Sequence, residues 1–324
     1  MSTKCLRIVL PGGSGQVGSL LARHFHAQGH EVVVLSRHPK STAPWREVLW
    51  DGVTVGHWCS ELEGSDVCIN LTGRSVNCRY GAANRQEIYD SRIASTRLLN
   101  EVIESLVQTP RVWLNSSTAT IYRHSLDKPM TEIGGELGGN EPDAPDPWNF
   151  SIRVARDWEQ TFFEKETPRT RKIALRSAVT LSTDQGGIFH VLSNLVRRGL
   201  GGTNGSGAQM VSWVHHEDFA RAVELLIMDE SFSGVVNVAA PNPVPNAEFM
   251  EILRRAWGVP VGLPAPAWLI EIGCFLMRTE SELVLKSRYV VPGKLQDAGF
   301  RFHFPNWPIA ASDLVGHWRH KSLS

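Results

Sequence analysis

Apolar residues along the chain follow two alternating patterns: short continuous runs and longer segments with helical spacing. The short runs are rich in β-branched residues and end in glycine or hydroxyl side chains, as buried strands of a parallel sheet do. Strands are predicted at 6–12, 31–37, 66–73, 111–118 and 172–182, and helices at 16–29, 84–107 and 151–166. This alternation predicts an α/β fold of the Rossmann type, a doubly wound parallel sheet with helices on both faces.

The sequence changes character near Ala240. Six prolines between positions 241 and 266 interrupt short helical segments, and proline can neither donate a backbone hydrogen bond nor continue a helix. We therefore predict a smaller, mainly helical C-terminal substrate lobe. The NAD(P)-binding Rossmann domain is predicted to comprise residues 1–182 and about 208–239, and the substrate lobe about 183–207 and 240–324.

Composition limits the classes of partner. The chain has 33 Lys and Arg against 33 Asp and Glu, so no net field favours a nucleic acid or a membrane surface. Its five cysteines form no CxxC pair, which disfavours zinc and a disulfide framework and suits a reducing compartment. His317 and His320 have no acidic cluster beside them in the sequence, so no metal site is expected.

Targeting signals are also not evident. The N-terminal residues lead directly into a predicted strand, which is unlike a signal peptide. The longest apolar run near the C-terminus, 268–277, contains Glu271 and is too short to span a bilayer. We expect a cytoplasmic protein that acts on a small molecule, with no nucleic-acid or membrane partner. The sequence leaves the oligomeric state open.

A glycine-rich turn joins the first predicted strand to the first predicted helix. Gly12, Gly15 and Gly18 form a G-x-x-G-x-x-G pattern, with Gln16 and Val17 at the start of the helix. The first two glycines permit close approach of a ligand, and the third permits close packing of helix and sheet. The helix N-terminus behind them offers free N–H groups to a pyrophosphate. The turn therefore predicts a dinucleotide site.

The end of the second predicted strand indicates which dinucleotide is bound. An acidic residue there binds the 2′-hydroxyl of the adenosine ribose, whereas arginine accommodates a 2′-phosphate. The sequence has Ser36 and Arg37 at this point and no acid within reach. Arginine presents a planar fork that matches phosphate. We therefore expect NADP rather than NAD.

Three motifs carry a resemblance to a known family. The glycine turn, the NLTG segment at 70–73 and the SSTATIY segment at 116–122 resemble the extended short-chain dehydrogenase/reductases. The DSR, VARDWE and long glycine-rich segments, at 90–92, 154–159 and 199–218, are similar to those of the NADP-dependent sugar-epimerase-like family that includes bacterial SulA-type homologues. NAEF at 246–249 and the segment 290–305 resemble the C-terminal lobe of that family.

The resemblance implies further contacts with the cofactor. Leu71, Thr72 and Gly73 stand at the end of the predicted strand 66–73, where the superfamily lines the adenosine ribose. Arg92 stands where extended members usually have an asparagine near the cofactor, which implies a contact with the phosphates or the nicotinamide ribose. Glu87 would orient Arg92 or bind ribose. A surface ion pair is the alternative for these two residues.

The usual catalytic pair of the superfamily is missing. Its members have a tyrosine acid/base and a lysine four residues later, but none of the four tyrosines here is followed by lysine at that spacing. Counting from the VARDWE segment places Phe150 and Val154 at the two positions. Neither side chain can transfer a proton, so the standard mechanism is not expected.

Three hydroxyl groups are candidate catalytic substitutes: Ser117, Thr118 and Tyr122. Counting back from Tyr122 favours Thr118 as the superfamily's catalytic hydroxyl, while the family pattern favours Ser117. Tyr122 is a possible proton donor, although a tyrosine at this place is more often structural.

Substrate contacts are expected from the long glycine-rich segment and the C-terminal lobe. Trp213 and His215 are the candidate substrate residues, and Trp213, Trp257 and Trp268 suggest an apolar-walled cleft. His215 has a structural alternative at the start of a helix, where Glu217 complements the helix dipole.

Three functions are compatible with these features. The first is an NADP-dependent oxidoreductase or epimerase that acts on a small polar substrate, with nucleotide sugars as one class. The second is an NADP(H)-binding sensor or regulator without turnover. The third is a partner-binding protein that retains the fold, which the intact glycine turn argues against.

Overall fold

The structure of the protein is a computed structural model, and it describes residues 4–276 and 278–321. The strands are β1 Arg7–Pro11, β2 Glu31–Ser36, β3 Arg46–Leu49, β4 Val67–Asn70, β5 Val112–Thr118, β6 Arg171–Ser177, β7 Val179–Leu181, β8 Met210–Val211, β9 Trp213–His215, β10 Gly234–Val238 and β11 Val244–Pro245. The helices are α1 Gln16–Ala27, α2 Ala82–Ser105, α3 Asp146–Phe163, α4 Ile188–Arg197, α5 His216–Met228, α6 Asn246–Trp257, α7 Ala267–Leu276, α8 Glu282–Leu285, α9 Gly293–Asp297 and α10 Trp307–Lys321. Two 3₁₀ turns span His57–Glu61 and Ala119–Ile121.

Seven strands form one parallel sheet in the order β10-β6-β5-β4-β1-β2-β3. The strand order reverses between β1 and β4, because the chain moves outward from β1 through β2 to β3 and then returns to the other side. In such sheets ligands bind outside the carboxyl ends of the strands at this reversal. The predicted doubly wound Rossmann fold is confirmed, with a helical C-terminal region.

Each face of the sheet is covered by its own apolar cluster. Alternate residues of β1 belong to different clusters, Ile8 and Leu10 to one and Val9 to the other, as the two-residue period of a strand requires. The first cluster includes side chains of α1 and α5, and the second includes side chains of α2 and α3. Both faces are therefore buried, which explains the continuous apolar runs in the sequence.

A third cluster forms the centre of the C-terminal lobe. Trp307 of α10 stacks on Phe249 of α6 with ring centroids 4.1 Å apart and also contacts Trp213 of β9. This cluster joins α4, α6 and α10 to β7 and β9. The proposed division of the chain into two domains remains a prediction.

Some element boundaries differ from the expected ones. The helix expected at 151–166 begins at Asp146, because Pro147 fits the first turn, where no N–H partner is required. The strand expected at 172–182 is divided at Ala178, whose N–H donates to the carbonyl of Val238. Beyond this residue the chain leaves the main sheet and β7 pairs with β9.

Two other features complete the description of the fold. Strand β3 was not predicted, because this edge strand is exposed or half-buried along its length and lacks an apolar run. Within residues 4–276 and 278–321, no helix combines the length and the apolar character needed to cross a membrane.

Candidate functional site

The glycine turn connects β1 to α1 at the carboxyl edge of the sheet. Gly12 has a φ of 73°, in the left-handed region that favours glycine, and donates its N–H to the carbonyl of Leu35 in β2. Gly15 is the N-cap of α1, with no side-chain cap and no acidic residue in the first turn of the helix. The first N–H groups of α1 are thus available to an anion.

The three glycines have different steric surroundings. A Cβ at Gly12 would lie 2.8 Å from the backbone of Thr72, and one at Gly18 would lie 2.4 Å from Gly13. A Cβ at Gly15 would meet only the carbonyl of Gly12, at 3.8 Å. Gly12 and Gly18 are therefore required by packing, whereas Gly15 borders open space at the helix N-terminus.

The segment after β4, residues 71–73, lies against the glycine turn, and the two together form a crevice at the carboxyl edge of the sheet. Leu71 donates its N–H to the carbonyl of Pro11, which places Thr72 against Gly12. The Thr72 hydroxyl is buried and has no hydrogen-bond partner within the described residues. A buried hydroxyl without a partner is costly, so it is suited to a ligand that supplies a polar group beside Gly12. The residues therefore fit a dinucleotide.

The end of β2 presents Ser36 and Arg37 to the same edge. The Ser36 hydroxyl is buried and accepts the N–H of His38, which fixes the turn. Arg37 is exposed and forms no ion pair among the residues the structure describes. Its guanidinium is thus available to a ligand that lies across the ends of β1 and β2.

Gln16 and Val17 begin α1. The Gln16 amide donates to the Ser182 hydroxyl at 3.0 Å, which links the glycine turn to the segment after β7. Val17 packs against the first apolar cluster. In this arrangement both side chains make protein contacts, and only their backbone N–H groups belong to the helix N-terminus.

Arg92 lies beside the crevice on α2. Its guanidinium lies 5.1 Å from the Trp158 ring centroid and would be 3.1 Å from a Cβ at Gly73. It donates to the carbonyl of Ile88, and burial lowers the pKa of Arg92 to about 10, so it remains charged at neutral pH. No carboxylate pairs with it among the described residues.

Glu87 occupies a different place from the one expected. Its carboxylate pairs with Arg74 and not with Arg92, from which it is separated along α2. Arg74 also donates to the Asn84 amide oxygen at 2.8 Å. Glu87 therefore positions the Arg74 loop, and the expected role of orienting Arg92 is not seen.

The two positions of the missing catalytic pair are apolar and buried. The ring of Phe150 packs edge-on against Tyr80, with ring centroids 5.2 Å apart, and Val154 belongs to the same small cluster. These residues fill the space of a tyrosine and lysine with packing contacts. A lysine introduced at Val154 would have to bury its charge, at a large cost.

Ser117 and Tyr122 belong to a buried polar network under the carboxyl edge of the sheet. The Ser117 hydroxyl donates to Glu159 at 2.5 Å, and Glu159 forms a two-point ion pair with Arg176. Arg176 also donates to the Tyr122 hydroxyl at 3.0 Å, and that hydroxyl is 2.9 Å from the Asn237 amide oxygen. Burial raises the pKa of Tyr122.

Thr118 differs from these two hydroxyl residues. It ends β5, is half-buried, and accepts the N–H of Thr120 at 3.1 Å. Its hydroxyl donates no hydrogen bond within the described part of the chain. Of the three candidate hydroxyl groups, Thr118 is therefore the one whose proton is not already committed to the protein interior.

Trp213 and His215 lie in the interior, where β9 packs against α10. Trp213 has no exposed surface, so it does not line an open cleft. His215 is also fully buried; it stacks on Phe304, accepts the Glu217 N–H and lies 3.1 Å from Asp313. Burial lowers the pKa of His215 to about 2, so it is neutral and caps α5.

The comparison with known sequences assigns the family. Residues 8–239, most of the chain, match the profile of the NAD dependent epimerase/dehydratase family. The chain belongs to this family. Residues 265–314 match a second profile, Domain of unknown function (DUF1731).

Epimerase family proteins resemble the chain over nearly its whole length. It is 30% identical over 314 residues to Epimerase family protein SDR39U1 of Bos taurus, covering 96% of this chain and 100% of that protein. It is 30% identical over 317 residues to Epimerase family protein YfhF of Bacillus subtilis, covering 96% and 98%. Both similarities include the C-terminal lobe.

Solved structures show the same epimerase-family architecture. Human epimerase family protein SDR39U1 (isoform 2), determined with NADPH, is 26% identical and superposes with a TM-score of 0.84, covering 96% of this chain and 99% of that chain. UDP-N-acetylglucosamine 4-epimerase from Bacillus cereus is 16% identical with a TM-score of 0.74, covering 97% and 99%. The latter comparison shows the fold alone.

Several residues that contact this site were not predicted from the sequence. Lys286 and Arg288 from the C-terminal lobe donate to the carbonyl and hydroxyl of Thr120, just after β5. Glu282 accepts the hydroxyl of Ser151, the residue after Phe150, at 2.5 Å. The C-terminal lobe thus contacts both places where the superfamily has its catalytic residues. These contacts join residues more than 130 positions apart, so no local spacing could reveal them.

Proposed function

We propose that this protein binds NADP(H) and uses it in an oxidoreductase or epimerase reaction on a small polar substrate, with nucleotide sugars as the first class to test. The observation that carries the proposal is the crevice between the glycine turn and Thr72. It combines free helix N–H groups, an unpartnered buried hydroxyl and the exposed Arg37 at the end of β2. The human relative, whose structure was determined with NADPH, supports the same cofactor.

The residues proposed to hold the cofactor fall into three groups. Gly15 and the N–H groups of α1 receive the pyrophosphate, while Gly12 and Gly18 hold the turn in shape through their packing. Arg37 binds the 2′-phosphate beside Ser36. The backbone of 71–73 receives the adenosine ribose, and Arg92 lies beyond Gly73. When bound, the nicotinamide supplies a two-electron hydride donor or acceptor.

For proton transfer we propose Thr118. Its hydroxyl lies at the end of β5 and retains a proton that is not donated within the described residues. An unassisted hydroxyl has a pKa far from neutral, and a positioned general base contributes about 10²–10⁴-fold in rate. Turnover is therefore expected to be slow or confined to a narrow range of substrates.

Calorimetry with NADPH and NADH tests the cofactor assignment. Gly15→Val is expected to abolish binding of both, because the side chain would enter open space at the helix N-terminus rather than disturb packing. Gly81→Val is the matched control, since Gly81 is the N-cap of α2 with an extended φ and no atom near a built Cβ. Normal NADPH binding by Gly15→Val would show that the loop is only a tight turn.

Arg37→Gln tests the preference for the 2′-phosphate. Loss of one charge-assisted contact costs about 1.5–3 kcal/mol, which corresponds to about 10- to 150-fold weaker NADPH binding. NADH binding is expected to be unchanged. Equal weakening of both dinucleotides would overturn the role given to Arg37.

A sensor without turnover is the second candidate function. Buried Phe150 and Val154 favour it, because they remove the usual proton-transfer groups. A screen of carbonyl and hydroxyl metabolites, followed by NADPH absorbance, separates the two. Turnover that is lost in Thr118→Val supports an enzyme, whereas NADPH binding without turnover of any metabolite supports the sensor.

A further inference from the structure

A cavity of about 670 Å³ lies between the segment before α2 and the C-terminal end of α7. Its polar lining consists of two arginines, Arg79 and Arg278, and two asparagines, Asn77 and Asn84. Phe275 and Leu276 form its apolar wall. No carboxylate lines the cavity within the described residues. The lining therefore combines positive charge with apolar surface.

The two arginines have different local roles. Arg79 lies 3.5 Å from buried Glu280, which also accepts the Tyr80 N–H, so this carboxylate holds Arg79 in place. Arg278 is exposed and pairs with no carboxylate in the described ranges. One buried carboxylate against two guanidinium groups leaves the cavity with a net positive charge, which favours an anion.

The backbone at Arg278 is strained. Its φ is 55°, and within the described residues it is the only non-glycine residue in the left-handed region. The Thr279 N–H donates to the Cys274 carbonyl, the closing bond of a helix C-terminus where glycine is usual. Arg278 occupies a position where glycine would be less strained, and this supports a role for its side chain.

The apolar wall continues outside the cavity along α7. Trp268, Ile272, Phe275 and Leu276 have helical spacing along one side of the helix and are 50–74% exposed. Ile270 and Cys274, on the opposite side, are buried. From Trp268 to Phe275 the helix rises about 10 Å. The exposed apolar side of α7 is thus continuous with the apolar wall of the cationic cavity.

The cavity adjoins the proposed cofactor crevice. Asn84 of its lining accepts a hydrogen bond from Arg74, and Arg74 directly follows Gly73. Arg79 of its lining directly precedes Tyr80, whose ring packs on Phe150 with centroids 5.2 Å apart. A ligand in the cavity would therefore lie beside the place where the superfamily has its catalytic tyrosine, as a substrate does.

We propose that the substrate is an amphipathic anion, whose phosphate or carboxylate binds at Arg79 and Arg278 and whose aliphatic part lies on Phe275, Leu276 and the exposed side of α7. The proposal rests on the proposed function, which makes the neighbouring crevice the cofactor site. It narrows the substrate from a small polar molecule to one that also carries an apolar chain.

Octyl phosphate is the probe, compared by calorimetry with inorganic phosphate, octyl glucoside and UDP. Octyl phosphate is expected to bind saturably and at least about tenfold more tightly than each of the other three, because only it supplies both the charge and the chain. Equal binding of phosphate or octyl glucoside would overturn the amphipathic assignment. Tighter binding of UDP would overturn it in favour of a nucleotide.

Two variants locate the binding site. Arg278→Gly removes the guanidinium and relieves the backbone strain, so its fold is expected to be at least as stable as wild type while octyl phosphate binding falls about tenfold or more. Leu276→Ser is expected to weaken octyl phosphate without changing phosphate binding. Arg301→Gln and Val107→Ser, at exposed positions elsewhere, are the matched controls. Unchanged binding in both test variants would overturn the proposal.

NADPH binding is measured in parallel so that two failures can be told apart. Saturable octyl phosphate binding without NADPH binding would support the cavity and overturn the proposed function. NADPH binding without octyl phosphate binding would overturn the cavity alone. Sedimentation tests the alternative that a second copy of the chain covers α7. A dimer that dissociates in Leu276→Ser but remains intact with octyl phosphate would support this alternative and overturn the proposal.

Discussion

The buried ion pair between Glu159 and Arg176 allows a quantitative test of the interior beneath the candidate site. Both side chains are less than a tenth exposed, and two hydrogen bonds of 2.7 and 2.8 Å join them. Glu159→Gln keeps the shape of the side chain but leaves Arg176 as an uncompensated buried cation. Breaking such a pair from one side costs about 3–5 kcal/mol.

The cost can be expressed as a melting temperature. An unfolding entropy of about 2.1 cal/mol/K per residue gives about 0.7 kcal/mol/K for the 324 residues. Glu159→Gln is therefore expected to lower the Tm by about 4–7 °C if unfolding is two-state. Calorimetry and circular dichroism at neutral pH measure the change. The control is Glu104→Gln, which removes an exposed pair with Lys165 and is expected to cost less than about 1 kcal/mol.

The double variant Glu159→Leu/Arg176→Met distinguishes the cost of leaving a buried charge unpaired from the cost of changing side-chain packing. Replacing both charges with apolar side chains is expected to recover most of the lost stability, because neither charge then remains buried and unpaired. The Tyr122 hydroxyl retains Asn237 as a partner in this variant. If the double variant is as unstable as Glu159→Gln, the stability does not depend on charge compensation and the reasoning is refuted.

Three further outcomes can be checked. Burial lowers the pKa of Lys286 to about 7, so the unfolded chain binds one more proton than the folded chain between about pH 7 and 10. Lys286→Met should therefore be more stable than wild type, with the largest difference below pH 7 and a smaller one as the pH rises. A difference in chemical denaturation that does not change with pH would contradict this. Gly12→Ala should destabilise the fold by about 1–2 kcal/mol or more because of its positive φ and contact with Thr72; denaturation as in wild type would show that the turn adapts. Gly316→Ala, in α10 with no atom near a built Cβ, should stabilise by about 0.5–1 kcal/mol in urea titration, and a loss of stability would indicate an unseen contact.

Periodicity in the sequence was enough to predict five of the seven strands of the Rossmann sheet, all except β3 and β10. The strands of its centre are buried on both faces and therefore appear as continuous apolar runs, and the glycine turn needs a strand before it and a helix after it. The edge strand β3 escaped prediction because an exposed strand has no such run. The start of α3 escaped because its first turn contains proline.

The sequence also predicted the crevice that we propose holds the cofactor, because each of its signals is local. The key residues lie close in sequence to the ends of β1 and β2: Gly12, Gly15, Gly18 and Arg37. Because parallel strands have their carboxyl ends at the same edge of the sheet, these residues come together there. The absence of the tyrosine and lysine pair could also be predicted from the sequence, because counting from the VARDWE segment places Phe150 and Val154 at the two positions. These features follow from chain order alone.

Only the tertiary structure showed how the individual side chains are used. The sequence leaves three candidate hydroxyl groups, at Ser117, Thr118 and Tyr122. In the structure Ser117 and Tyr122 hydrogen-bond within the Glu159–Arg176 network, while Thr118 does not. Trp213 and His215 are fully buried. Hydrogen bonds between distant segments decide these roles, because burial leaves each polar group dependent on a partner that local sequence does not specify.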